Sequence, residues 1–253
     1  MDNSLQFKQY RNKYKEFHYN SYKITEDSEA IYLKFEFEIP NLTVFHPKTK
    51  ILKKNMPFKS INSQYAQNMA FHIGLIELIS YWKCTCSPKI IIKCGYLNNE
   101  QIEWWKKLYF YGLGELFFTN NIKTEFNDFV NIECEETSKK IEYEKINDIS
   151  NGYIVPIGGG KDSIVTLETL KLDRKNDYCL IVNPKPVTLK CAEIAGFSSD
   201  NIIEIYRTID ENLIELNKNN FINGHTPFSA MLAFLSYFVA YLLSKKYIAL
   251  SNE

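Results

Sequence analysis

Tyr153-Ile154-Val155-Pro156-Ile157-Gly158-Gly159-Gly160-Lys161-Asp162-Ser163, followed by Ile164-Val165-Thr166-Leu167-Glu168-Thr169-Leu170, decides the fold. The apolar start predicts a short buried strand, the glycines a loop, and the remainder a helix entered through Asp162 or Ser163. Three glycines free the backbone to take positive φ and leave no Cβ in the way of a close approach. A helix beginning there aims its unpaired N–H groups and positive dipole end back at the loop, which suits an anion. Strand, glycine loop and helix start together predict phosphate binding at Gly158, Gly159, Gly160, Lys161, Asp162 and Ser163. The plainer alternative is a strand-to-helix turn capped by Asp162 or Ser163, which has no need of three successive glycines.

Two common phosphate loops do not fit. The dinucleotide fingerprint needs G-x-G-x-x-G, and no glycine follows Gly160 until Gly196. The Walker A loop needs Gly-Lys-Ser/Thr in succession, whereas Asp162 separates Lys161 from Ser163. Gly158–Ser163 instead resembles, at five of six places, the S-G-G-x-D-S pyrophosphate loop of enzymes that split ATP between its α and β phosphates, with Gly158 in place of the first Ser.

Downstream of the loop, strand and helix alternate. Tyr178–Val182, Ile202–Tyr206 and Tyr247–Leu250 read as short apolar strands, separated by helices at Val187–Ala195, Ile209–Leu216 and Phe228–Leu243, with the helix after the loop expected to reach about Leu172. That pattern predicts an α/β fold with a parallel sheet covered on both faces. Ligands in such sheets sit at the carboxyl ends of the strands, which nominates Gly158–Ser163, Asn183, Arg207 and Ser251-Asn252-Glu253.

Upstream, the pattern is α+β. Ala30–Ile39 alternates strictly, with Ile31, Leu33, Phe35, Phe37 and Ile39 on one face, and predicts a strand with Leu42–Phe45 as partner. Ser63–Trp82 has helical apolar spacing, Ile90–Ile92 and Phe129–Cys134 read as strands, and Asn98 or Asn99 caps a helix that closes near Gly112 or Gly114. Residues 1–28 are expected to be a loose polar arm, and Lys48–Lys59, with five lysines and no acid, a solvated loop or an anion site. The charged stretch Glu133–Asp148 is expected to be a surface boundary between domains at 1–150 and 151–253.

Thirty basic residues balance thirty acidic ones, so no overall field draws nucleic acid or membrane. The longest apolar run, Phe228–Leu243, is short for a span and contains Ser and Tyr, and the polar N-terminus is not a secretory signal. Six cysteines without such a signal predict reduced thiols and a cytoplasmic protein, and Cys84-Thr85-Cys86 has poor zinc spacing.

Further stretches narrow the family. Val155–Ser163, Asn223-Gly224-His225-Thr226-Pro227 and Ser251-Asn252-Glu253, with Trp104-Trp105 and Gly112-Leu113-Gly114-Glu115-Leu116-Phe117-Phe118, resemble the bacterial UDP-N-acetylmuramoyl-L-alanyl-L-glutamate epimerase family. The resemblance implies ATP- and Mg²⁺-dependent inversion of the terminal L-Glu of a UDP-MurNAc-dipeptide to D-Glu through an acyl-adenylate, in peptidoglycan precursor synthesis. It implies that Lys161 and the glycine N–H groups counter the pyrophosphate charge and that Asp162 holds Mg²⁺, as well as being an N-cap or instead of it; Asn183, at a strand's carboxyl end, is expected to border the nucleotide. Glu253 is either a second Mg²⁺ ligand or an ordinary carboxylate. His225, beside Asn223, is a general base, a phosphate contact or a loop-packing residue. Family members continue past Ser-Asn-Glu, so a domain truncated at its C-terminus is expected, with a second chain supplying the remainder. Two other readings stand beside this one. One is another pyrophosphate-loop adenylating enzyme, acting in tRNA modification or amide formation, against which the missing Asp-Asp after Gly224-His225 and the zero net charge count. The other is a non-catalytic nucleotide-binding fragment.

Overall fold

A computed structural model describes residues 3–135, 149–170 and 173–251. The elements run in the order α1 (Asn3–Lys13), β1 (Glu16–Glu26), β2 (Ala30–Ile39), β3 (Thr43–Phe45), β4 (Lys48–Leu52), α2 (Gln64–Trp82), β5 (Lys89–Ile92), α3 (Asn99–Tyr111), α4 (Gly114–Thr119), α5 (Phe126–Phe129) and β6 (Asn131–Cys134). After the segment 136–148 come β7 (Ser150–Pro156), α6 (Lys161–Thr169), β8 (Tyr178–Val182), α7 (Pro186–Ile194), β9 (Ile202–Thr208), α8 (Glu211–Lys218), α9 (Phe228–Leu242) and β10 (Lys245–Ile248).

All the strands among the described residues join one ten-stranded sheet, in the order β10-β7-β8-β9-β4-β2-β1-β5-β6, with β3 beside β2. The strands β7, β8, β9 and β10 are mutually parallel, with Tyr247 opposite Tyr153 and Ile248 opposite Ile154. The sheet as a whole is mixed rather than parallel, because β9 pairs antiparallel with β4, and β4 antiparallel with β2. Side chains alternate between faces of the central strands. Ile154, Leu180, Ile203 and Ile205 point into the core shared with α2 and α9; Val155, Ile157, Cys179 and Ile181 point to the opposite face, under α6 and α7, with Leu167 and Ala192.

β2, α2 and α3 form where periodicity places them. The α2 N-cap is Ser63, whose Oγ accepts the Ala66 N–H, and Asn98 and Gln101 close a capping box on α3. Two stretches depart from expectation. The N-terminal segment is not a loose arm: α1 buries Phe7, and β1 is an interior strand burying Phe17 and Tyr19. A bulge between Tyr19 and Ser21 shifts the register, so the buried set moves from Phe17 and Tyr19 to Ile24 and the period-two signal is broken within the strand. Lys48–Leu52 is not a solvated loop but the strand joining the two halves of the sheet, with Thr49 and Ile51 buried. Its alternation is hidden among lysines, and just past it Lys53 and Lys54 find partners far away in sequence: Lys53 pairs with Glu26 at 2.5 Å and Lys54 with Glu204 at 2.8 Å. The expected boundary segment falls mainly on residues outside those described. No helix among the described residues is long and apolar enough to cross a membrane.

Candidate functional site

The glycine loop leaves the carboxyl end of β7, where Ile157 still bonds through its N–H to Leu180 O at 2.9 Å. Gly159 takes φ +80°, and a Cβ there would meet Thr188 Cγ2 of α7 at 3.0 Å. Glycine is therefore required twice over, by conformation and by space. Gly158 and Gly160 have no atom within 4 Å of where a Cβ would stand, so their backbone faces open space. The helix starts earlier than expected: Gly160 is the N-cap, two residues before Asp162, α6 begins at Lys161, and no side chain caps it. Neither Asp162 nor Ser163 is the N-cap. Ser163 is buried and its Oγ accepts the Gly158 N–H at 3.0 Å, closing the loop. Lys161 and Asp162 project outward and pair at 2.9 Å.

Neighbouring strand ends complete this edge. Asn183, at φ +49° just after β8, accepts the Arg207 N–H with its Oδ1 at 2.8 Å, so its carbonyl is already engaged in holding the ends of β8 and β9 together. Arg207 itself turns away to Glu77 and Ser80 of α2. Ser251 lies beside α6, its Oγ 2.7 Å from Thr166 Oγ1, which brings the stretch after β10 to the loop's helix. Asn252 and Glu253 lie outside the described residues, so Glu253 as a metal ligand has no geometry here. Among the described residues no group of three or more His, Cys, Asp or Glu side chains could hold a metal ion. Asp162 with phosphate oxygens and water is nevertheless a common way to hold Mg²⁺, which rarely takes an all-protein cage.

Asn223 and His225 form a second cluster. The Asn223 carbonyl accepts from Asn120 Nδ2 at 2.9 Å, and the His225 N–H donates to Glu115 Oε2 at 2.5 Å. A Cβ on Gly224 would meet Glu115 Oε2 at 2.8 Å and Leu116 Cα at 2.9 Å; one on Gly112 would meet Pro227 at 3.0 Å. The segments 112–118 and 223–227, far apart in sequence, therefore fit against one another through their glycines. Lys83, at the C-cap of α2, reaches the same place and donates through Nζ to Gly224 O. Lys83, Gly224, His225, Thr226, Phe228 and Ser229 border a cavity of about 700 Å³.

Both clusters belong to the same end of the sheet. α9 leads directly into β10, and Lys245 stands opposite Ser150, the first residue of β7. The fifteen residues of α9 span about 22 Å. The seven of β7 span about 23 Å. The start of α9, with His225 just before it, thus lies level with the carboxyl end of β7. α6 packs on one face of the sheet and α9 on the other, so the two clusters flank the same carboxyl edge.

Residues 8–253 match the family described as MurL N-terminal domain. The chain belongs to that family. It is 26% identical over 192 residues to the UDP-N-acetyl-alpha-D-muramoyl-L-alanyl-L-glutamate epimerase of Xanthomonas oryzae pv. oryzae, covering 76% of this chain and 41% of that protein. Proteins of the same name from Salinispora tropica (26% over 183 residues, 72% of this chain and 38% of the relative) and a Micromonospora species (27% over 184 residues, 72% and 39%) also match. The chain spans about two fifths of the length of these curated relatives. No solved structure matches it significantly. Lys83 and Glu115, both in the second cluster, were not among the expected site residues of this MurL N-terminal domain. Glu115 stands among the glycines and aromatics of its motif, and Lys83 directly precedes the buried Cys84 and Cys86, so neither carries a local functional signature.

Proposed function

We propose that this chain is the ATP-binding part of an epimerase that inverts the terminal L-Glu of UDP-MurNAc-L-Ala-L-Glu to D-Glu in peptidoglycan precursor synthesis. The observation that carries the reading is the loop at the end of β7: two glycines opening onto free space, and a helix behind them that no side chain caps. In its favour stand the family and the names of the curated relatives. The residues present suit an ATP polyphosphate, because the backbone N–H groups at the start of α6 offer donors and the helix end is electropositive. Lys161 adds a mobile positive charge, and Asp162 adds a hard oxygen for Mg²⁺. Bound ATP would supply the adenylyl group that neutralises the substrate carboxylate and so makes the neighbouring α-proton removable. Asn183 stiffens the strand ends beside the loop, while Asn223 fixes the loop that presents His225 to the α9 side.

Titration calorimetry with ATP and Mg²⁺ on the wild type and on Asp162→Ala tests the nucleotide site. Magnesium-dependent binding is expected to disappear in the variant; unchanged binding would show that the loop is not the site. With the remainder of the enzyme supplied, turnover of UDP-MurNAc-L-Ala-L-Glu is expected to give AMP and pyrophosphate, with D-Glu recovered by chiral chromatography after hydrolysis; this chain alone is expected to bind nucleotide with little or no inversion. ADP and phosphate as sole products would point to a different chemistry.

A further inference from the structure

Inverting a carbon centre requires that a proton leave one face and another arrive from the opposite face. Two separate acid–base groups do this without the substrate turning over. Only one such group, His225, came from sequence; the cavity in front of α9 contains a second. Lys83 is 8% exposed, yet borders that cavity. An ammonium has three donors, and the hydrogen bond from Lys83 Nζ to Gly224 O uses one of them. His225 follows Gly224 directly, is exposed, and has its backbone N–H fixed by Glu115. The two residues come from different elements and line the same cavity, Lys83 buried and His225 exposed, with Lys83 bonded to the carbonyl of the residue just before His225.

We infer that Lys83 and His225 are the acid–base pair that carries the α-proton of the substrate's terminal glutamyl residue off and on. The inference rests on the epimerase reading above and assigns its proton chemistry. In one direction the α C–H bond breaks, its electron pair delocalises into the adjacent carbonyl, and the proton goes to the lone pair of one group. The conjugate acid of the other then delivers its proton to the opposite face, forming the new C–H bond. Each passage leaves the two protonation states exchanged, and exchange with water resets them. For this, the amine must be available without its proton near neutral pH. Burial pushes Lys83 below the usual lysine range, and Arg207 acts in the same direction, against Cys84, Glu115 and Cys86. Desolvated lysines serve as bases for this reason.

Competitive labelling with acetic anhydride across a pH series, read by peptide mass spectrometry on the wild-type chain, tests the assignment without requiring turnover. Lys83 is expected to half-react at a lower pH than the exposed lysines, because burial disfavours its ammonium form. Adding UDP-MurNAc-L-Ala-L-Glu should protect Lys83 and leave Lys107 unchanged. In D₂O, with the remainder of the enzyme supplied, Lys83→Met is expected to lose inversion by about a thousandfold while still exchanging deuterium into one isomer through His225, and His225→Gln into the other. Inversion within about twofold of wild type in Lys83→Met, or loss of exchange from both isomers together, would overturn the pair. Failure of the underlying reading looks different. A wild-type chain that binds neither ATP nor the UDP-sugar dipeptide sinks both, whereas substrate binding with Lys83 no more reactive at low pH than the exposed lysines overturns this inference alone.

Discussion

Arg207 grips Glu77 with two parallel hydrogen bonds, Nε to Oε2 at 2.6 Å and Nη2 to Oε1 at 2.8 Å, and its Nη2 also reaches Ser80 Oγ at 2.9 Å. The carboxylate side chain is 1% exposed and the guanidinium 12%. This ion pair locks α2 to the end of β9 and explains how a charged residue at the functional edge can be structural. Removing one partner leaves the other buried and uncompensated, which typically costs about 3–5 kcal/mol. Glu77→Ala is therefore expected to lower the urea midpoint sharply; a shift within the error of the wild-type midpoint would show that water reaches the pair.

Much of this was legible in the sequence, for physical reasons that can be named. β2 and α2 bury a periodic face without interruption, and Asn98 caps α3 through local bonds only. The glycine loop showed itself because its backbone requirement, positive φ at Gly159, is local. β1 did not show, since its bulge changes the parity of buried residues mid-strand, nor did β4, whose short alternation is masked by lysines with distant partners. Lys83 and Glu115 acquire meaning only when segments 112–118 and 223–227 come together, a tertiary fact with no local signature.

The three glycines should differ in what they tolerate. Alanine at position 159 must adopt φ +80° and press on Thr188, so Gly159→Ala is expected to cost about 1–2 kcal/mol of stability. Gly158→Ala has open space and should stay within about 0.5 kcal/mol of wild type. If the loop holds phosphate, both variants lose ATP affinity, because the alanine methyl at 158 would project where the ligand lies. Thermal melts with and without Mg-ATP separate the two effects, and equal destabilisation at 158 and 159 would contradict the loop geometry.

His72 predicts an acid weakness. It sits on α2 and stacks on Trp105 of α3 with ring centroids 6.0 Å apart, and burial lowers its pKa from 6.5 to about 4. The unfolded chain therefore binds a proton at this residue more readily than the folded one, and stability falls as pH drops from 6.5 towards 4. The loss over that window is expected to be about 2–3 kcal/mol. His72→Phe keeps a ring in the stack and should flatten this part of the curve. An unaltered pH slope from pH 7 to 4 in that variant would show that another group is responsible.

Lys161 tests the division between fold and function most cleanly. Its side chain is 75% exposed and its ion pair with Asp162 joins sequence neighbours on the surface, so little stability depends on it. Lys161→Met is expected to leave the melting temperature nearly unchanged. Opposite a polyphosphate the same ammonium interacts with a concentrated negative charge beside an uncapped helix end, where its loss weakens binding more than a surface pair would. ATP affinity should fall by about tenfold to a hundredfold, corresponding to about 1.4–2.8 kcal/mol. The loss should also shrink as salt is raised, because screening weakens the wild-type attraction first. Calorimetry at low and high ionic strength measures both, and an affinity indifferent to the substitution would place the phosphates away from Lys161.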